Sequence, residues 1–288
     1  MFSELLFGFI LWIAVFLLII AVGSELFSIM IEERLRYLRL IVNYAQLSPT
    51  ISIPTSPEPV ARYVSWALGE NRAPVGCVHI RHSGRIRYGK TGRWMNMGGE
   101  AFFSLATPGF VWRATITYFP GIWLEAFDYY VDREAGMNLN LFSVFPLDNG
   151  KTDEMKDSSL FRYLASTPLF PMIHGSTDLI SWENVDDTTA KAIIRNKDQS
   201  AEAFVRFNGR GGIESIESCR MTDPVAGRAV PGHFASRFSG YSDEEGYRIP
   251  IQISSDIVLP EGEEVHAEFV ITDIEFHSTG TTHRSESR

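Results

Sequence analysis

Cysteine is scarce in this chain of 288 residues, with only Cys77 and Cys219 present. Two thiols so far apart do not form the short-spaced ligand set of a structural zinc site. Each falls in a strand-like stretch, so two buried thiols are the plain expectation. A disulfide between distant strands is the alternative, and it requires an oxidising compartment. Basic charge is short as well. The chain has 26 Lys and Arg against 35 Asp and Glu, a net charge of −9. Nucleic acid, which binds where a basic face displaces phosphate counterions, is therefore not an expected partner. Phosphate-cradling glycine loops are missing too: Asn208 to Gly212 sits between strand patterns with no helix start after it. His174-Gly175-Ser176 lacks the G-x-S-x-G order of a nucleophile elbow. No internal repeat is visible. These absences leave no cofactor, metal or catalytic motif in view, and the expectation is of a protein that is not an enzyme.

Between Leu5 and Ser24 the missing ingredient is charge altogether. About twenty apolar residues, at roughly 1.5 Å each in a helix, match a hydrocarbon core of about 30 Å. Leu5–Ser24 is thus expected to be a transmembrane helix and the chain a single-pass membrane protein. Ala21-Val22-Gly23 offers small residues suited to signal cleavage, but Met1–Glu4 carries no Lys or Arg. That favours an uncleaved anchor over a signal peptide. Arg34, Arg36 and Arg39 follow the span, which by the positive-inside rule points the rest of the chain to the cytoplasm.

Beyond the span, Ile31, Leu35, Leu38, Val42 and Ala45 recur every three or four residues. This spacing predicts a juxtamembrane amphipathic helix over 25–47. Its apolar stripe could pair with a second copy in a homodimer, lie on headgroups, or pack on its own domain. Pro49, Pro54, Pro57 and Pro59 mark 48–59 as an extended linker. A short helix follows, with Ser56 as N-cap, Pro57 at its first position, and Val60, Tyr63, Val64, Ala67 and Leu68 on one face.

From Val75 the period changes to two. Phe110, Trp112, Ala114, Ile116 and Tyr118 share one face of a strand, and Val111, Arg113, Thr115 and Thr117 the other. Similar alternation occupies 201–207, 249–253 and 265–276. In the last of these the parity slips between Ile271 and Ile274, which predicts a bulge near Asp273. Turn residues divide the runs at Ser83-Gly84, Gly98-Gly99, Pro120-Gly121, Asp186-Asp187, 208–212, 243–246 and Glu261-Gly262. One helix interrupts the strands over 154–165, ending before Pro168. With 12% aromatic residues, the fold class expected is mainly β within α+β. It consists of an N-terminal transmembrane helix followed by a large curved antiparallel sheet, or half-barrel, with one to three short helices. The organisation is then an anchor over 1–24, the amphipathic helix over 25–47, the linker over 48–59, a β-rich domain over 60–277 and a disordered tail over 278–288.

His79 and His82 suggest a metal pair, but residues three apart on a strand face opposite sides and cannot share an ion. The acidic groups Asp243-Glu244-Glu245 and Glu261-Gly262-Glu263-Glu264 fall in turns, where carboxylates stay solvated rather than entering the desolvated setting that acid chemistry needs. Arg113 and Asp128 lie within strands and invite an ion pair, either structural or at the polar end of an apolar ligand pocket.

Several blocks together carry a resemblance. Arg93-Trp94, Thr107-Pro108-Gly109-Phe110-Val111-Trp112-Arg113-Ala114, Asp128-Tyr129-Tyr130, Gly136-Met137, Leu160-Phe161-Arg162-Tyr163-Leu164, Phe170-Pro171, Trp182 and Gly246-Tyr247-Arg248-Ile249-Pro250 occur in order. Over roughly 60–276 the chain resembles an uncharacterised bacterial domain-of-unknown-function family that carries an N-terminal hydrophobic segment. More distantly it resembles the lipoprotein-carrier type of half-barrel, in which a curved antiparallel sheet wraps helices around an apolar cavity. The resemblance implies an extracytoplasmic domain, against the side the three arginines indicate, and the domain is expected on the extracytoplasmic side. It brings no catalytic residue. It does single out Trp112, Arg113, Asp128, Tyr129, Arg162, Tyr163 and Trp182 as candidate ligand contacts. Phe110, Trp112, Tyr118, Trp123, Phe127 and Tyr129 are expected to cover the concave face. The function expected is non-catalytic: binding of an apolar, lipid-like ligand or of an envelope partner. The alternatives are a scaffold dimerising through the juxtamembrane helix, and an enzyme with an unrecognised site.

Overall fold

The computed structural model describes residues 2–44, 56–69, 75–89, 91–150, 154–176, 179–218, 233–258 and 264–278. Cys219, Ala45, Pro49, Pro54, the Glu261-Gly262 turn and the tail from 279 lie outside the described residues.

The apolar run and the striped segment form one continuous helix, α1 (Phe2–Tyr44). Nothing in the sequence stops it, since Gly23 and Ser24 only lower propensity locally. Its first half is exposed along its length, with Leu5, Phe9, Trp12 and Leu17 all open, and it is long and apolar enough to cross a membrane. In its second half Phe27, Ile31, Leu35 and Leu38 are buried in one cluster with Val111, Phe127, Tyr129 and Val131. The stripe therefore packs on the chain's own sheet.

Helix α2 (Glu58–Leu68) begins one residue later than expected. Pro57 is the N-cap, with non-helical φ −52 and ψ 148, and no side chain caps the helix. The Pro57 carbonyl accepts from Val60 N and Ala61 N, both at 3.0 Å. The expected face, Val60, Tyr63, Val64, Ala67 and Leu68, is buried.

The remaining chain forms β1 (Cys77–Tyr88), β2 (Met95–Ser104), β3 (Gly109–Phe119), β4 (Ile122–Val131), β5 (Glu134–Leu141), β6 (Phe145–Gly150), helix α3 (Glu154–Ser166) with two 3₁₀ turns at Thr167–Leu169 and Pro171–Gly175, and then β7 (Ile180–Asn184), β8 (Thr189–Asn196), β9 (Gln199–Phe207), β10 (Ile213–Ser218), β11 (His233–Glu244), β12 (Tyr247–Val258) and β13 (Glu264–His277). All thirteen strands make one antiparallel sheet in the order β6-β5-β4-β3-β2-β1-β13-β12-β11-β10-β9-β8-β7. Two hairpin meanders, β1 to β6 and β7 to β13, are thus zipped together by a single long-range pairing of β1 with β13. The segment α3 and its 3₁₀ turns link the two outer edges across the hollow of the curled sheet. Together with α2 they bury the main core, which includes Tyr63, Phe103, Tyr130, Tyr163 and Phe170.

Two expected turns are not turns. Ser83-Gly84 and Gly98-Gly99 lie in mid-strand in β1 and β2. A Cβ on Gly84 would collide with the Glu268 carbonyl oxygen, and one on Gly99 with the Arg113 carbonyl oxygen. These glycines let neighbouring strands approach closely where the sheet bends. Hairpins missed in the sequence use other residues. Between β4 and β5, Asp132 and Arg133 both take positive φ, 50 and 67, the left-handed pair of a type I′ turn. The bulge does occur as expected: Arg81 pairs Asp273 and His82 pairs Ile271, leaving Thr272 unpaired.

Register sorts side chains between two faces. Ile80, Ala101, Trp112, Asp128 and Met137 form one cross-strand row on the concave side. Arg113 pairs Phe127, and Val111 pairs Tyr129, on the convex side under α1. Trp123, opposite Thr117, has the convex parity too. Phe127, Tyr129 and Trp123 therefore do not cover the concave face as expected, because α1 gives the outer face a second apolar cover and aromatics serve both sides.

Candidate functional site

The hollow of the sheet is not filled completely. A cavity of about 240 Å³ runs along it, walled by Phe103, Phe110, Trp112 and Met137 from the first meander and by Phe234, Phe238, Ile253 and Phe269 from the second. Helix α3 closes one side with Arg162, Ala165 and Ser166. Side chains from both meanders meet here because the pairing of β1 with β13 brings their concave faces together.

Polar groups enter this lining at two places. Trp112 Nε1 donates to His82 Nε2 at 2.8 Å, with the rings parallel within 4°. An accepting Nε2 requires a neutral imidazole. Burial holds the His82 pKa down at about 4, against a smaller upward pull from Glu100. The second place is Asp128 with Arg162. Arg162 Nη2 donates to Asp128 Oδ1 at 2.9 Å and to Ser159 Oγ at 2.8 Å. Both side chains are largely buried, 9% and 15% exposed for Asp128 and Arg162. Burial pushes the Asp128 carboxyl above its ordinary range, and the Arg162 charge and hydrogen bond only partly offset that. Arg162 Nε and Nη1 are buried and have no partner among the described residues. Buried guanidinium N–H groups left unpaired are costly, and these two nitrogens have almost no surface open to the cavity.

Of the seven candidate contacts, the cavity brings together three: Trp112, Asp128 and Arg162. The other four lie elsewhere. Arg113 is on the convex face, where Nε donates to Glu100 Oε1 at 2.5 Å and His79 Nε2 meets Glu100 Oε2 at 2.8 Å. Burial works to raise the Glu100 pKa, but these hydrogen bonds and the Arg113 charge outweigh it and hold the carboxyl low. Arg113 and Asp128 thus do not pair: adjacent strands show them to opposite faces, and each has another partner. Tyr129 lies under α1, with the Arg34 guanidinium 4.6 Å from its ring centre. Tyr163 is fully buried and donates to Ser104 O at 2.7 Å. Trp182 leans on His174, ring centres 5.6 Å apart, in the core beneath the second meander. His79 and His82 face opposite sides, and among the described residues no three of His, Cys, Asp or Glu are grouped to hold a metal ion. Cys77 is a free thiol whose pKa burial raises to about 11, with Arg39 pulling the other way.

Sequence reasoning missed His82 and the wall from the second meander. The alternation of β12 and β13 was visible, but no local signal tells that Ile253 and Phe269 face Trp112 across a hollow.

Fold and cavity define a curled antiparallel half-barrel with an apolar interior. The chain belongs to a family of unknown function, DUF6920, whose model matches residues 55–276. A search of curated proteins returns no match. Among solved structures, the chain is similar to a putative outer membrane lipoprotein-sorting protein domain from Vibrio parahaemolyticus, with 11% identity, a TM-score of 0.42, and coverage of 81% of this chain and 96% of that one. It is similar to a LolA superfamily protein from Nitrosomonas europaea, with 12% identity, a TM-score of 0.40, and coverage of 76% and 92%. A DUF1329 family protein from Desulfovibrio piger aligns at 11% identity with a TM-score of 0.39, covering 79% and 96%.

Proposed function

We propose that this protein is a non-catalytic, membrane-anchored domain that holds an apolar, lipid-like ligand in the hollow of its sheet. The observation that carries this reading is the cavity itself. At about 240 Å³ it exceeds the ~150 Å³ apolar void that stays dry and takes up a benzene-sized guest. A mostly apolar lining with a few convergent polar groups is the usual form of a small-molecule site. Trp112 and Met137 offer wall, and the Asp128–Arg162 pair puts charged groups in the lining that can orient a polar headgroup. The exposed half of α1 serves as the anchor, with the span at 5–24 and the domain on the extracytoplasmic side. Two of the three arginines that argue for the opposite side have packing roles: Arg34 stacks on Tyr129, and Arg39 lies 5.4 Å from the Phe102 ring centre. The scaffold alternative has less support, because the stripe that would join two copies is covered by the sheet.

Native mass spectrometry of the detergent-purified full chain, followed by titration with a fluorescent phospholipid, tests the ligand reading. A co-purified lipid mass or saturable uptake is expected, and Ala165→Phe, which fills the cavity from α3, should abolish it with circular dichroism unchanged. A folded protein that takes up no lipid refutes the reading. A periplasm-active reporter fused after His277 tests sidedness, and an inactive fusion places the domain in the cytoplasm.

A further inference from the structure

Large apolar side chains are exposed at few places once α1 is set aside. Among the described residues they are Tyr118, Phe119, Ile122, Phe145, Leu147, Val185, Phe204 and Val270. Five of these eight sit in two neighbouring hairpins, at the β3–β4 turn and at the β5–β6 turn with the start of β6. The two stretches, 118–123 and 141–147, contain no acidic or basic residue in a chain that is 21% charged. Scattered exposed apolar residues need no explanation, but a cluster does.

The position of the cluster identifies what covers it. The β5–β6 hairpin lies against the exposed half of α1, and the β3–β4 hairpin lies against that hairpin in turn. Phe142 meets Phe16 edge to face at 6.1 Å and Trp123 at 4.9 Å. Gly23 backs directly on the Val144 side chain, with no room for a Cβ. From Ser24 back to Phe16 a helix rises about 12 Å, so the tips lie alongside the span rather than below it. Arg93, just before β2, reaches the β3–β4 tip itself, its guanidinium 4.3 Å from the Phe119 ring centre and donating to Tyr118 O. An exposed arginine with its stem along an apolar tip can keep its charge among phosphate headgroups while the rings reach the acyl chains. Pro120 at the tip has no N–H to leave unpaired in that setting.

We propose that the β3–β4 and β5–β6 hairpins are a bilayer-inserted foot, which together with α1 seats the half-barrel on the membrane with its cavity opening toward the lipid leaflet. Strand register supplies the last part. Ile86, Tyr88, Ile257 and Val265 line the cavity, and Tyr88 and Ile257 each pair Val265 while Ile86 pairs Met95. Met95 in turn neighbours Asn96, which pairs Thr117 just before the β3–β4 turn. The cavity thus reaches the same end of the sheet as the foot, and α2 with the 3₁₀ turns packs the opposite end. The proposal rests on α1 being a membrane span.

The test is spin-label accessibility in the full chain, with Cys77→Ser and Cys219→Ser as background, in phosphatidylcholine vesicles. Labels are placed one at a time through Phe119→Cys, Leu147→Cys, Val185→Cys, Phe204→Cys and Trp12→Cys. Positions 119 and 147 should collide with dissolved oxygen several-fold more than with a water-soluble nickel chelate, as position 12 does, while 185 and 204 show the reverse. Labels at 119 and 147 that behave like those at 185 and 204, with position 12 still in lipid, overturn the foot and leave the anchor standing. A label at position 12 in water overturns the anchor and the foot together.

Discussion

Asp128 and Arg162 can lose either partner, and the two losses should differ in kind. Asp128→Leu leaves a guanidinium whose only remaining partner among the described residues is Ser159. Arg cannot shed its charge at any ordinary pH, so the full cost of a broken buried pair, about 3–5 kcal/mol, is expected at every pH tested. Arg162→Met leaves a carboxyl whose pKa burial already raises. That group escapes by taking a proton, so its cost is capped by the work of protonating it. With an unfolded pKa near 3.9 and about 1.36 kcal/mol per pH unit, the cap is about 4 kcal/mol at pH 7 and about 1.5 kcal/mol at pH 5. The double variant replaces the pair by apolar groups of similar size and should return to within about 1 kcal/mol of the parent. Urea unfolding of the full chain in detergent, followed by tryptophan fluorescence at the two pH values, reads all four proteins. Destabilisation by Arg162→Met that stays constant with pH, or single losses that simply add in the double variant, would refute a buried charge pair at the cavity wall.

Acid should unfold the domain through its histidines. Burial holds His174 at about 3 and His82 at about 4, below the unfolded value, so the stability they contribute is complete above about pH 6.5 and drains away as pH falls toward 4, by about 3 kcal/mol each. Asp128, raised by burial, works in the opposite direction. His174→Phe should flatten the decline in urea midpoint measurably, and an unchanged slope argues against a neutral buried ring. Neighbouring glycines should also part company. Gly99→Ala drives a Cβ into the Arg113 carbonyl and should cost about 1–3 kcal/mol. At Gly98 the nearest atom is His82 O at 3.9 Å, so Gly98→Ala should be neutral or stabilising by up to about 1 kcal/mol through the unfolded chain. Thermal melts of the two variants would reveal an error in the close-approach account if they moved alike.

What the sequence determines here is whatever depends on near neighbours. The charge-free run sets a helix long enough to span a bilayer, and period-two alternation sets strands and the parity of residues within each. The slip between Ile271 and Ile274 marks the bulge at Thr272, and the Pro168 boundary ends α3 near Ser166. Period three on a strand is enough to send His79 and His82 to opposite faces. Parity does not say which face is inside when helices cover both, so alternation alone does not tell that Phe127 and Tyr129 pack under α1 rather than in the hollow. Nor does composition separate a turn glycine from one that permits close strand approach, since both need only a missing Cβ. The rest waits on non-local pairing. Joining β1 to β13 sets one meander's concave face against the other's, and α3 crossing the hollow brings Arg162 to Asp128, 34 residues away in sequence. A cavity exists only between surfaces, and these surfaces come from halves of the chain that carry no local information about each other.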